Sequence, residues 1–168
     1  MGACVADPGW PLCVIEAEDD SRLVAAFRQI YLDEYVRADV RDWADRRVRF
    51  HAPSFEHAFS EASNYRLSAG VHDVPLSPKR MQRILWIKLA LAGIGVQIEV
   101  LAQMRQDNRG RMKRRRSLIV LDNRYVVVLE PSEEDGFAFV FITAFPADQS
   151  YLDRIRRGAT VLERRSRA

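Results

Sequence analysis

Hydrophobic spacing changes period once along this chain, near residue 93, and that change constrains the fold more than any other feature. Before it, apolar residues recur every three to four positions. Leu23, Val24, Phe27, Ile30, Tyr31 and Tyr35 mark a helical face behind an Asp20-Ser21 cap, and Val40 and Trp43 continue the pattern. Helix is therefore predicted over about 20–49. A second helix opens after Pro53-Ser54, with Phe55, Ala58, Phe59 and Ala62 inward. Residues 64–77 read as a loop around Gly70 and Pro75. A third helix begins at Ser77-Pro78, where serine caps and proline suits the first helical position, and it runs to Gly93.

After residue 93 the period falls to two. Residues 96–100 alternate as a half-buried strand does, and 117–121 and 125–130 read as two strands about an Asp122-Asn123 turn. Residues 137–145 form the most apolar strand, ended by Pro146, and 148–165 read as a closing helix. Helices followed by four consecutive strands predict an α+β fold: N-terminal helices on one face of a four-stranded antiparallel sheet, with a C-terminal helix. Residues 1–18 form a loose leader that packs Trp10 on the body. The organisation expected is a leader and helical extension over 1–50 and a main domain over 51–168, within the 168 residues.

Several classes are excluded by composition. No run approaches about 18 uncharged apolar residues, the length of a membrane-spanning helix. The first twenty residues hold five acids and no Lys or Arg, the wrong charge for a signal peptide, and Ala6 stands where a myristoylation signal needs Ser or Thr. Cys4 and Cys13 lack zinc-ligand spacing, and the three histidines lack clustered acids or thiols, so neither metal nor other cofactor is expected. The setting expected is soluble, reducing and cytoplasmic. The net charge of +3 conceals a strong split: residues 21–168 hold 26 cations against 18 acids, or +8. Of the cations, only Lys79, Lys88 and Lys113 are not arginine, and arginine suits bidentate phosphate contact. A polyanionic partner is favoured over a neutral metabolite.

Four features carry candidate chemistry. His57 lies between Phe55 and Phe59; a neutral imidazole there can move a proton in phosphodiester cleavage, or it can be a packing residue. His72 is a candidate second proton carrier, and His51 reads as incidental. Lys79, Arg80 and Arg83 crowd cations onto a helix start, against its dipole, which points to phosphate or to unseen acidic partners. Residues 105–116 hold seven cations, Arg105, Arg109, Arg111, Lys113, Arg114, Arg115 and Arg116, against the single acid Asp107. Between two strands they read as a mobile basic loop able to bind nucleic acid. Thr143, inside an apolar strand, needs a hydrogen-bond partner if buried, and otherwise is a β-former on the other face.

Together His57 in His-Ala-Phe-Ser, the helix Ser-Pro-Lys-Arg-Met-Gln-Arg-Ile-Leu-Trp-Ile-Lys (77–88), Tyr-Val-Val-Val-Leu (125–129) and Thr-Ala-Phe-Pro (143–146) resemble a known family over about 51–147. It is the phage-associated branch (PBECR) of the barnase–EndoU–colicin–RelE nuclease superfamily. The resemblance implies a metal-independent endoribonuclease acting on RNA, commonly tRNA, deployed as a toxin or by phage and mobile elements, with an antitoxin or immunity protein as a further partner. It implies an active-site set of His57, Arg83 and Thr143, joined by Arg80 and Tyr125. The chemistry implied is attack of a ribose 2′-hydroxyl on the adjacent phosphorus, giving a cyclic phosphate. Two other readings use the same residues: a non-catalytic RNA-binding module with a structural His57, and a regulatory interaction protein whose acidic leader covers its basic groove. Phe137, Phe139, Phe141 and Phe145 alternate as a core face does, which favours packing over base stacking.

Overall fold

The computed structural model describes residues 9–61, 76–107 and 109–167. Helix α1 (Asp20–Tyr31) is capped by Asp19, one residue ahead of the expected cap, whose carboxylate accepts the Arg22 N–H at 2.8 Å. It does not run to residue 49. A π-helical turn (Leu32–Val36) ends it, and Asp42 then takes the N–H groups of Ala44 and Arg46, each at 3.0 Å. A short acid that occupies backbone donors in this way competes with the helix ladder. Asp45 adopts φ +61, and the chain reverses into the short strand β1 (Val48–Arg49).

Helix α2 (Ser54–Phe59) follows, with Phe55, Ala58 and Phe59 inward as expected. Ala62, His72 and most of the predicted 64–77 loop lie outside the described residues. Helix α3 (Pro78–Met81) starts as read: the Ser77 hydroxyl accepts from Arg80 N–H at 3.3 Å. The single helix expected up to Gly93 is nevertheless broken. The Tyr35 hydroxyl donates to the Ile84 carbonyl and accepts from the Lys88 N–H, standing between two groups that would pair in a continuous helix. Helix α4 (Trp86–Ala92) resumes and stops at Gly93, φ +66, as expected.

The sheet has six strands rather than four and is mixed rather than antiparallel throughout. Strands β2 (Ile98–Gln106), β3 (Met112–Val120), β4 (Tyr125–Pro131), β5 (Phe139–Pro146) and β6 (Thr160–Arg165) join β1 in the order β1-β5-β4-β3-β2-β6. Among the described strands, only β1 and β5 pair in parallel. The predicted closing helix is α5 (Gln149–Arg156) alone; Gly158, φ +78, turns the chain and the remainder pairs with β2 as an edge strand. Nor do all helices share a face. Helix α5 sets Leu152 and Ile155 against Leu101, Ile119, Val126 and Val128 on one side of the sheet. The other side carries the larger core, with α1 to α4. At its centre Tyr31 packs against Tyr35, Phe50, Phe55, Phe59 and Phe141, with centroids 5.7–6.5 Å away. Residues 20–50 therefore share one core with the sheet. The leader also packs on the body: Trp10 meets Trp86 edge-to-face at 5.7 Å, and Trp86 Nε1–H donates to the Pro11 carbonyl. Among the described residues no helix is long and apolar enough to cross a membrane.

Candidate functional site

A bulge in β5 shapes the site. Val128 pairs with Thr143 but the next residue, Leu129, pairs with Phe141, so Ile142 is an extra residue on the β5 side. Bulges re-aim side chains. This one separates Phe141, fully buried in the larger core, from Phe145, which packs against Tyr151 beside α5. The four phenylalanines of 137–145 thus do not line one face, as their spacing suggested. Thr143, half-buried, donates from Oγ1 to the Ala58 carbonyl of α2 at 3.3 Å. The same carbonyl accepts from Arg80 Nη1 at 3.2 Å. One backbone oxygen, adjacent in the chain to His57, therefore ties together α2, α3 and β5.

Arg80 and Arg83 differ from the other arginines of this side of the molecule. Arg28, Arg46, Arg47 and Arg49 each pair with a carboxylate. Among the described residues, Arg80 and Arg83 pair with none and spend a donor on a backbone carbonyl instead, Arg83 Nη1 on Lys79 at 2.8 Å. Burial lowers the Arg80 pKa, partly countered by the charge of Glu61. Arg80 lies over the Phe145 ring at 5.1 Å and Arg83 over Trp86 at 4.9 Å. The Arg83 Nε is buried without a hydrogen-bond partner. A buried donor left unmade costs about 1–3 kcal/mol. Behind them Tyr125 is buried, its hydroxyl donating to the Arg83 carbonyl at 3.4 Å. Burial pushes that hydroxyl far above the usual tyrosine range, against the pull of Arg83 and Arg80, so Tyr125 is a neutral donor that braces the arginine backbone.

His57 faces solvent. The helical period that buries Phe55, Ala58 and Phe59 turns positions 56 and 57 outward, so His57 is exposed and not clamped between the two rings. The Ala58 carbonyl joins Arg80 to Thr143 and the Arg83 carbonyl holds Tyr125, and His57 precedes Ala58 in sequence. His51, set aside in the sequence reading, lines a separate cleft of about 460 Å³ with Lys113, Arg114 and Glu130. A cleft of about 220 Å³ at Tyr35, Arg47, Arg49 and Phe137 holds none of the five candidates.

The basic stretch is not a loop. Arg105 belongs to β2, and Lys113 to Arg116 to β3; between the strands Asp107 accepts the N–H groups of Arg109 and Arg111. Nor are its cations alike. Lys113 and Arg115 share the carboxylate of Glu130, at 3.6 and 3.1 Å. Arg116 turns inward over Phe139, and burial and the nearby Arg46 charge lower its pKa. Arg105, Arg109, Arg111 and Arg114 remain exposed.

An arginine–aromatic stack at the start of β5 escaped the sequence reading. Arg47 and Arg49 lie over Phe137 at 4.3 and 5.2 Å, and Arg46 and Arg116 over Phe139 at 5.1 and 5.0 Å. The alternation of Arg46, Arg47 and Arg49 with nearby acids was the only local signal, and it fell inside the predicted first helix. Among known proteins, no family model, curated protein or solved structure matches this chain.

Proposed function

We propose that the protein is an endoribonuclease that cleaves RNA by 2′-hydroxyl transesterification without a divalent metal. The observation that carries this reading is the Ala58 carbonyl, which gathers Arg80 and Thr143 at the residue after the exposed His57, while Arg83, three residues after Arg80, meets no carboxylate among the described residues. In the proposed step, His57 takes the proton of the ribose 2′-hydroxyl, and water protonates the leaving 5′-oxygen. The 2′-oxygen bonds to phosphorus, the 5′-oxygen leaves, and a 2′,3′-cyclic phosphate remains. Arginine cannot act as the base at ordinary pH. Arg83 and Arg80 instead stabilise the extra negative charge on the phosphorane, and the Thr143 hydroxyl orients a phosphate oxygen. The positive charges of Arg80 and Arg83 disfavour a divalent cation beside them. Toxin or phage deployment, tRNA as substrate and an antitoxin partner rest on the family resemblance alone.

A second reading, the non-catalytic RNA binder, draws on the same hydrogen bonds: Arg80 and Thr143 on one carbonyl are also a staple that holds α2 to the sheet. One assay separates the two. Incubation with a mixed RNA pool in EDTA should yield fragments ending in 2′,3′-cyclic phosphate. Intact RNA under all conditions, or cleavage abolished by EDTA and restored by magnesium, rejects the proposal.

A further inference from the structure

The β2–β3 hairpin outruns the sheet that carries it. Strand β6 leaves β2 at the Ala102–Thr160 pair, and β4 leaves β3 at the Arg116–Leu129 pair. Pairing between β2 and β3 continues without either neighbour to Gln106–Met112, where the Asp107 N–H donates to the Arg111 carbonyl. At about 3.3 Å per residue the unflanked ribbon extends roughly 13 Å before its tip. Asp107 holds that tip through the Arg109 and Arg111 N–H groups, and Gln106 Nε2 donates to the Gly110 carbonyl. The ribbon is a braced projection.

Its charge is arranged on both faces. Cross-strand partners share a face and neighbours alternate. Arg114 stands opposite Met104 on one face, and Arg105 opposite Lys113 on the other, with Arg109 and Arg111 at the tip. Among the described residues, Arg105, Arg109, Arg111 and Arg114 meet no carboxylate within ion-pair distance, whereas Lys113 and Arg115 lean on Glu130. The arginine stack over Phe137 and Phe139 offers a contrast, since Asp39, Asp42, Glu134 and Glu163 already neutralise it. Met104 and Met112, each 60% exposed, share the face of Arg114.

We propose that this ribbon docks along a base-paired RNA stem, its opposed cations contacting phosphates of both strands. The proposal rests on the nuclease reading for its choice of RNA. Residues 98–120 contain no aromatic side chain. Surfaces that bind unpaired strands rely on aromatic stacking, which this ribbon cannot supply. Duplex RNA is instead held largely by its shape and by phosphate contacts along both strands, which a rigid two-faced cationic ribbon can make.

The test compares two 2′-O-methyl RNA probes, a duplex of about 16 base pairs and a single strand of the same length. Both keep their phosphates, and neither can be cleaved through a 2′-hydroxyl. The full chain should bind the duplex about tenfold or more tightly than the single strand. A variant carrying R105Q, R109Q, R111Q and R114Q should lose that preference, and its log–log salt slope on the duplex should shrink by about three to four. Should the fourfold variant fold poorly by circular dichroism, R109Q with R111Q alone should remove about half of that slope. Equal binding of both probes by the wild type, or an unchanged duplex slope in a folded variant, overturns the proposal. Equal binding together with RNA cleavage would leave the nuclease reading standing. Ribbon-dependent duplex binding in a protein that cuts no RNA would sustain the ribbon and reject the nuclease.

Discussion

His57 stands on the solvent side of α2 because the residues that bury that helix are Phe55, Ala58 and Phe59. Replacing it by alanine should therefore leave the protein folded, because the buried face of α2 is untouched. RNA affinity should also be nearly unchanged, since phosphate contacts dominate such interfaces. The cleavage rate should fall by about 10²–10⁴, the usual worth of one general acid or base. Single-turnover kinetics with a parallel binding titration would check this, and a variant cutting at the wild-type rate would remove His57 from the mechanism. Tyr35 makes the complementary case of a residue that matters through geometry. Y35F frees the Ile84 carbonyl and Lys88 N–H that its hydroxyl separates. It should cost about 1–3 kcal/mol in urea unfolding, as for a buried hydrogen bond lost. His57's outward position could be read from helical period alone. The meeting of Thr143 and Arg80 on the Ala58 carbonyl could not, because it joins residues 58, 80 and 143 across a bulge that no local pattern announces.

Local chemistry also decides which elements were legible. Ser77-Pro78 and Gly93 are start and stop signals written within a few residues, and α3 and α4 obey them. The break between those helices comes from a hydroxyl 49 residues earlier in the chain. Strand β6 was hidden for a similar reason: Val161 prolongs the helical spacing of Tyr151, Leu152 and Ile155, but the unpaired edge of β2 claims the segment. Glu99 fixes that edge. It is 8% exposed and accepts from Arg156 Nε of α5 at 2.8 Å and from Arg164 Nε of β6 at 3.3 Å. Burial alone would raise its pKa, but the two guanidinium groups outweigh burial and hold it below the usual value. A depressed folded-state pKa contributes stability that is present above the ordinary glutamate value of about 4.3 and is lost as pH falls through the folded value. E99Q should accordingly lose about 1–3 kcal/mol near pH 7. Chemical denaturation at a series of pH values should show the difference between wild type and variant shrinking as pH falls below the ordinary glutamate value toward the depressed folded one. A difference that stays constant across that range would show that the carboxylate charge has no part in anchoring α5 and β6.

At the scale of the whole molecule, the expected boundary at residue 50 meets a core that crosses it. Phe27, Tyr31, Tyr35, Val48 and Phe50 are all buried, and they surround Phe141 and the α2 rings from one side. Strand β1 also covers the β5 edge in parallel. The extension was expected because the family resemblance begins only near residue 51; tertiary contacts, which such motifs do not report, place residues 20–50 inside the body. Truncating one large aromatic in a core costs about 3–5 kcal/mol, and a domain of this size holds only about 5–15 kcal/mol in total. Removing four buried rings at once exceeds that reserve. A fragment of residues 51–168 should therefore lack cooperative thermal unfolding, show poor chemical-shift dispersion and bind a hydrophobic dye. The chain from residue 9 should instead unfold in a single transition, because it retains α1, β1 and the Trp10–Trp86 contact. If 51–168 folds cooperatively by itself, residues 20–50 are an accessory layer, and the aromatic cluster around Tyr31 is not needed to hold the sheet that carries Thr143.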